Sequence, residues 1–341
     1  SKQMADFTNH ETRQEASQNS VSSPVSLPIK ASTNGSSMIN GSSKEEEVIA
    51  RIEELAESIE KQLDLKHMVF PAENRTDYIS ARAGYSTEGP DYQDIKSMWK
   101  AQLVGEDEEG EVQGVRKSPL EGRAEWYQKG LEYWDNELNC TPDSTGVLGG
   151  FPELAEPDIR DSNEFLDEII KIRPELEFNR VADVGAGVGR VVRDLLLARF
   201  QFVDLVEQSP RLTAAAPGFV GPRGEGRCSY LCLGAQDYEP EANSLDCIWA
   251  QWCIMNLTDI DYVDFLRKSK QALKPGGIVI IKDNCCEDEA FVVDGDDNSI
   301  TRCAAYQRSI IRSAGLRILV ERLQTGFPSD LYPVHMFCLV A

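Results

Sequence analysis

The sequence predicts an α/β fold in which a mostly parallel sheet carries helices on both faces. Three observations lead there. From about residue 160 short apolar strands alternate with helical stretches, the pattern of a covered parallel sheet. One strand, Arg180–Val184, runs straight into a glycine-rich loop and then a helix. The last two strands, Arg317–Arg322 and His335–Val340, have only a loop between them, which predicts an antiparallel end to the sheet.

The elements follow in order. Residues 1–43 are polar, with Ser-Ser pairs and few large apolar side chains, so they cannot bury enough surface to offset their ordering entropy and read as a disordered arm. Residues 44–120 form an extension of unassigned role. It opens with a helix from Glu45 to about Lys66, where Val48, Ile52, Leu55, Ile59 and Leu63 recur on one face and Ser43-x-x-Glu46 fits a capping box. Residues 67–120 show no clear period, and Glu106 to Glu111 is a charge run that reads as a solvated loop. The remainder, 121–341, is one catalytic-sized domain. Ala124–Trp134 is a short helix with Trp126, Tyr127, Leu131 and Trp134 on one side, and Thr141–Pro152 is a glycine-bearing loop. A helix follows near Ser162–Lys171. Strands are expected at Arg180–Val184, Phe202–Val206, Tyr230–Leu233, Asp246–Trp249, Ile278–Lys282 and the two at the end, seven in all. Helices are expected at Val191–Phe200, Tyr262–Leu273 and Ile300–Ala314, with a turn at Lys274-Pro275-Gly276-Gly277.

Composition narrows the function. The chain has 341 residues, 41% of them hydrophobic, and a formal charge of -22. That charge disfavours tracking a phosphate backbone, so no direct nucleic-acid partner is expected. No run of 18 apolar residues marks a membrane span. Nine cysteines without a CxxC pair point to unpaired thiols in a reducing compartment, hence cytoplasm or nucleus. Three histidines and no zinc-type cysteine spacing leave no metal site to expect. Oligomeric state is not legible.

The stretch Asp183-Val184-Gly185-Ala186-Gly187-Val188-Gly189-Arg190 carries the chemistry. Its glycines let the backbone turn sharply and let a ligand approach the main chain. The spacing is GxGxG, not the GxGxxG of dinucleotide loops, and Arg190 stands where the last glycine of that pattern would be. The Gly-Lys-Ser/Thr of a Walker loop is absent. The loop resembles instead the first motif of class I methyltransferases, whose ligand carries a sulfonium and an amino-acid tail. An acid at the strand end, Asp183, suits a cationic ligand, and Arg190 suits its carboxylate. Glu207 ends the next strand, placed to accept hydrogen bonds from two ribose hydroxyls. The ordinary alternative is that Asp183 and Glu207 merely cap turns. Gln236-Asp237 after the third strand and the Lys-Pro-Gly-Gly turn favour the ligand reading.

Further blocks sharpen the resemblance: Tyr133-Trp134, Gly146-Val147-Leu148-Gly149-Gly150, Ile248-Trp249-Ala250-Gln251-Trp252, Ile281-Lys282-Asp283-Asn284 and Asp294-Gly295-Asp296-Asp297-Asn298-Ser299. With them, residues of about 124–341 resemble the protein α-N-terminal methyltransferases, which methylate the terminal amine of chains beginning Xaa-Pro-Lys. The resemblance implies a Rossmann-like class I methyltransferase fold with a seven-stranded sheet. It implies S-adenosyl-L-methionine as cofactor, held by Gly185, Arg190, Glu207, Gln208, Ser209, Ala235, Gln236 and Gln251. It implies a peptide channel of Trp134, Leu148, Gly149, Trp252, Asn284, Asp294, Asp297, Ser299 and Tyr332, with Asp297 and Asn284 catalytic, and protein substrates with exposed Xaa-Pro-Lys N-termini. A proline at the second position is a rigid wedge for Trp252, and a lysine at the third calls for the carboxylates of Asp294 and Asp297. Asp294-x-Asp296-x-Asn298 imitates the opening of a calcium loop but lacks its central glycine and closing glutamate. One departure stands out. Where the family has a histidine proposed as proton acceptor, this chain has Asn256. Two alternatives remain at this stage: a small-molecule methyltransferase on the same core, and a weakly active cofactor-binding scaffold acting through the N-terminal extension.

Overall fold

The computed structural model describes residues 83–89, 91–105, 118–286 and 290–341. The arm at 1–43, the helix expected at 45–66 and the charge run at 106–111 lie outside them. The strands, in chain order, are β1 (Ala83–Ser86), β2 (Arg180–Val184), β3 (Phe202–Glu207), β4 (Cys228–Cys232), β5 (Leu245–Gln251), β6 (Leu273–Asn284), β7 (Ala290–Asp294), β8 (Ser299–Arg302), β9 (Arg317–Leu323) and β10 (Val334–Val340). The main helices are α1 (Ile95–Val104), α2 (Pro119–Asp135), α3 (Ala155–Ile172), α4 (Pro210–Val220), α5 (Asp259–Ala272) and α6 (Ala304–Ser313).

Seven strands form one sheet in the order β4-β3-β2-β5-β6-β10-β9. Its pairs are parallel except at β10, which runs antiparallel to both β6 and β9, as the short loop between the last two strands predicts. Strand order reverses at β2, which lies between β3 and β5. The crevice beyond the carboxyl ends of β2 and β5 is therefore the natural ligand position of an open α/β sheet. Apolar side chains cover both faces. Phe165, Leu166 and Ile169 of α3 pack with Leu195, Phe200 and Trp249 on one side. Tyr262 and Phe265 of α5, Ile310 of α6, and Met98 and Trp99 of α1 pack on the other.

A second sheet of three strands, β1-β7-β8, stands beside the first. β7 and β8 form a hairpin whose connection holds Asp294 to Ser299, so the acidic block is a hairpin tip. β1 runs parallel to β7. No period in the sequence announces this sheet, because its strands are four or five residues long.

Several boundaries differ from expectation for local reasons. α2 starts at Pro119 rather than Ala124, because Ser118 and Glu121 make a reciprocal capping box. α3 starts at Ala155 rather than Ser162, and its first turns bury two acids, Asp158 and Asp161, that a sequence reading leaves to solvent. α4 has no counterpart among the expected helices, since Pro217 sits inside it, but Ser209 caps it and Pro210 occupies the first turn. The stretch expected as helix Val191–Phe200 contains a π-helical turn at Val192–Leu196. Short helical turns also occupy Ser144–Val147 and Pro152–Leu154 in the glycine-bearing loop. Ile300 belongs to β8, and α6 begins only at Ala304. The Lys274–Gly277 turn is instead the opening of β6, with a register shift between Leu245 and Cys247 on β5 opposite.

Candidate active site

The glycine loop closes over the end of β2. Gly185 and Gly189 have φ of 70° and 89°, and a Cβ on Gly185 would lie 2.2 Å from that of Cys253. Only glycine meets both demands. Glu207 braces the loop from β3: its carboxylate accepts from Gly187 N–H and Ser209 N–H, each at 2.8 Å. Burial pushes the Glu207 pKa up, against the pull of the Ser209, Gly187 and Gln208 N–H groups.

Beneath the loop lies a buried charge cluster centred on Asp158 of α3. Arg190 Nη2 reaches its Oδ2 at 2.6 Å, Lys282 Nζ its Oδ1 at 2.5 Å, and Gln251 Nε2 its Oδ1 at 2.8 Å. Burial alone would raise the Asp158 pKa. The Lys282 ammonium and Arg190 guanidinium overcome it and hold the carboxyl below the usual range. Burial lowers the pKa of Lys282 in spite of Asp158. Two buried polar atoms at the cleft have no hydrogen-bond partner among the described residues: Arg190 Nη1 and Asp183 Oδ2. The Asp183 pKa is pushed up to about 8, first by burial, with Glu207 adding and Arg190 opposing. An unpartnered guanidinium N–H and an unpartnered carboxyl oxygen match the carboxylate and ammonium of an amino-acid tail, whose positive charge would draw the Asp183 carboxyl toward its ionised form.

Of the eight residues expected at the cofactor, Gly185, Arg190, Glu207, Gln208, Ala235, Gln236 and Gln251 line one cleft. Ser209 does not. It is fully buried, and its hydroxyl caps α4 by accepting from Leu212 N–H at 3.0 Å while donating to Asp135 at 2.5 Å. These bonds tie α2 to the loop that follows β3.

Of the nine residues expected in the peptide channel, two belong to the lining of this cleft, and Leu148, Gly149, Asn284, Asp294, Asp297, Ser299 and Tyr332 do not. Trp134 and Trp252 line the cleft. Trp252 has a φ of 52°, rare for a bulky side chain, and its indole N–H donates to Asn284 Oδ1 at 3.1 Å. Leu148, buried, and Gly149, with a φ of 63°, lie outside the lining, just past Val147, which belongs to it. Tyr332 is half-buried and precedes Pro333, whose carbonyl takes the Cys285 N–H at the end of β6. At the hairpin tip, Asp294 accepts from Asp296 N–H at 2.9 Å and Asp297 accepts from the Ser299 hydroxyl at 2.6 Å. Burial, with Asp294 adding, pushes the Asp297 pKa up to about 6.

Asn256 joins the two halves. It lines the cleft, and its amide donates to the carbonyls of Asp297 at 3.2 Å and Asn298 at 3.4 Å. An amide has no basic lone pair near neutral pH, so Asn256 fastens the acidic tip rather than taking a proton. Three contributors have no sequence signal: Asp158, Tyr127, which lines the cleft while donating to Asp261 at 2.6 Å, and Cys253 beneath Gly185. Their partners are distant in sequence.

Residues 122–340 match the family described as AdoMet dependent proline di-methyltransferase. The chain belongs to that family. A rat relative of these dimethyltransferases, named N-terminal Xaa-Pro-Lys N-methyltransferase 1, is 37% identical over 221 residues, which are 64% of this chain and 97% of the relative. Alpha N-terminal protein methyltransferase 1 of Dictyostelium discoideum is 35% identical over 261 residues, 75% of this chain and 90% of the relative. A solved SAM-dependent methyltransferase from Leishmania major aligns with a TM-score of 0.63 at 30% identity, over 75% of this chain and 95% of its own. The chain is thus an enzyme of the class I methyltransferase fold, and S-adenosylmethionine is its cofactor. The unpartnered Arg190 and Asp183 atoms and the Glu207-braced loop are the features that fit it.

Proposed function

We propose that this enzyme methylates the free α-amine of protein N-termini beginning Xaa-Pro-Lys. The observation that carries the reading is that Asn256, which lines the cofactor cleft, holds the backbone of the acidic hairpin tip at the Asp297 carbonyl, and that this tip carries a buried carboxyl, Asp297, whose pKa of about 6 leaves it ionised at neutral pH. An α-amine titrates near roughly 7.7–8, so at neutral pH most of it is protonated and must lose a proton before its lone pair can attack. Asp297, ionised above about pH 6, accepts that proton, and the Ser299 hydroxyl holds its orientation.

S-adenosylmethionine, when bound, supplies an electrophilic methyl group. The chain's own residues supply position. Arg190 and Asp183 bind the cofactor's charged tail, and Glu207 binds its ribose. Trp252, fixed by Asn284 and stacked with Phe327 at 6.3 Å, offers a flat apolar wall for a second-position proline, which has no N–H to leave unpaired. Asp294 offers charge to a third-position lysine. In-line transfer depends on this alignment more than on any further acid or base. The names of the rat and Dictyostelium relatives support the same substrate class.

The test is a pH–rate profile. Asp297→Asn should lower kcat by about 10²–10⁴-fold near neutral pH, the range of a lost general base, with recovery at high pH where solvent deprotonates the amine. A wild-type profile for Asp297→Asn removes the proton-acceptor assignment.

A further inference from the structure

Two described elements, β1 and α1, precede the family region that begins at residue 122. Both bear on the acidic hairpin. β1 aligns Ala83 with Ala290 through Ser86 with Val293, and the Thr87 N–H extends the ladder to the Val293 carbonyl at 3.0 Å, one residue before Asp294. The fit is tight, since a Cβ on Gly84 would lie 2.0 Å from the Phe291 ring. α1 carries Trp99, buried, whose indole N–H donates to Asp259 Oδ2 at 2.6 Å. The other oxygen of Asp259 takes Arg302 Nε at 2.9 Å and Nη2 at 2.8 Å. Arg302 is the last residue of β8, and it also donates to the Leu257 carbonyl at 2.7 Å, beside Asn256.

A second route starts from the same tryptophan. The Trp99 ring meets Trp126 of α2 edge-on at 5.1 Å. Trp126 donates its indole N–H to the Asn256 carbonyl at 2.7 Å, and its own carbonyl accepts from the Asn298 amide at 3.2 Å. Asn256 and Asn298 flank Asp297, one by hydrogen bond and one by sequence. A two-stranded hairpin of five and four residues holds its shape poorly alone. Here its edge, its far end and its tip are each held by contacts that lead back to residues 83–105.

We propose that segment 83–105 is a positioning element of the catalytic machinery, setting the placement of Asp297 through Trp99 and its neighbour Trp126. The proposal rests on Asp297 being the proton acceptor. Trp99 is not part of the cofactor cleft lining and acts through the groups named above. A shift of about 1 Å in a reacting group can cost on the order of 100-fold in rate, so loosening the tip shows in turnover before it shows in folding.

The experiment is a double-mutant cycle on the full chain with Trp99→Phe and Asp297→Asn. Phenylalanine keeps a ring in the site and removes the N–H to Asp259, which retains Arg302 and Tyr306. Trp99→Phe should lower kcat on a Xaa-Pro-Lys peptide about 5- to 20-fold, while the S-adenosylmethionine dissociation constant stays within about twofold. In the Asp297→Asn background the same substitution should cost nothing further, because the group it positions is gone. Trp126→Phe, which removes the donor to Asn256, should behave alike. Equal losses in both backgrounds overturn the proposal, as they mark a general structural effect. So does full kcat in Trp99→Phe beside a defective Asp297→Asn enzyme. Wild-type turnover in Asp297→Asn removes the acceptor assignment itself and the proposal with it.

Discussion

Replacing Asp158 by asparagine should destabilise the enzyme more than any other single change at the cofactor cleft. The carboxylate is fully buried and compensates two cations, Arg190 at 2.6 Å and Lys282 at 2.5 Å. An amide in its place would leave both charges uncompensated and put two N–H donors where acceptors are needed. Breaking a buried ion pair by removing one partner costs about 3–5 kcal/mol. For a domain of this size each kcal/mol lowers Tm by roughly 2–4 °C, so Tm should fall by about 6–20 °C. Lys282 can blunt the loss by shedding its proton, since burial already lowers its pKa, so the defect should shrink toward high pH. Lys282→Met in the Asp158→Asn background removes one stranded cation and should restore about half of the lost Tm. Thermal unfolding followed by circular dichroism is sufficient. An Asp158→Asn enzyme melting within about 2 °C of wild type near pH 7 would refute the reasoning.

Glu207→Ala should weaken S-adenosylmethionine binding by about 1–3 kcal/mol, roughly 5- to 150-fold, and unchanged affinity by calorimetry would exclude Glu207 from the ribose site. Asp294→Asn should raise KM for a Pro-Lys peptide more than for a Pro-Gln peptide, and equal shifts would deny it a role in reading the third residue. Asp283 is buried, its Oδ2 has no hydrogen-bond partner among the described residues, and burial pushes its pKa up to about 7. The unfolded chain ionises near pH 4 and the folded one near 7, so Asp283 removes stability as pH rises through that window, by an amount on the order of 4 kcal/mol. Asp283→Asn should therefore flatten the fall in Tm between about pH 4 and 7, and an unaltered Tm profile would show that Asp283 is not ionised by folding-linked titration in that range.

The glycine loop is legible in the sequence because its chemistry is local. Strand, glycines, Arg190 and the acid one strand later sit in order along the chain, and parallel pairing of β2 with β3 brings Glu207 beside the loop. The seven strands and their antiparallel end are legible for the same reason: each is an apolar run with its own turn signals. Asp158 is not. It occupies the first turns of an amphipathic helix, where an acid is ordinary, and its partners are 32, 93 and 124 residues away. Ser209 is expected at the cofactor from the resemblance alone, and nothing local in the sequence shows that its hydroxyl caps the helix that follows. Asn256 shows only as a missing histidine. Its two bonds to the hairpin tip depend on β7 and β8, strands too short to betray themselves by alternation. The small sheet, and with it the packing of residues 83–105, is a tertiary fact.

The central claim is tested most directly by methyl transfer from labelled S-adenosylmethionine to two Xaa-Pro-Lys peptides that differ only in a free or an acetylated α-amine. Mass spectrometry should place the label on the terminal nitrogen of the free peptide and find none on the acetylated one. Equal labelling of the two peptides, which would put the methyl group on a side chain, would contradict the account.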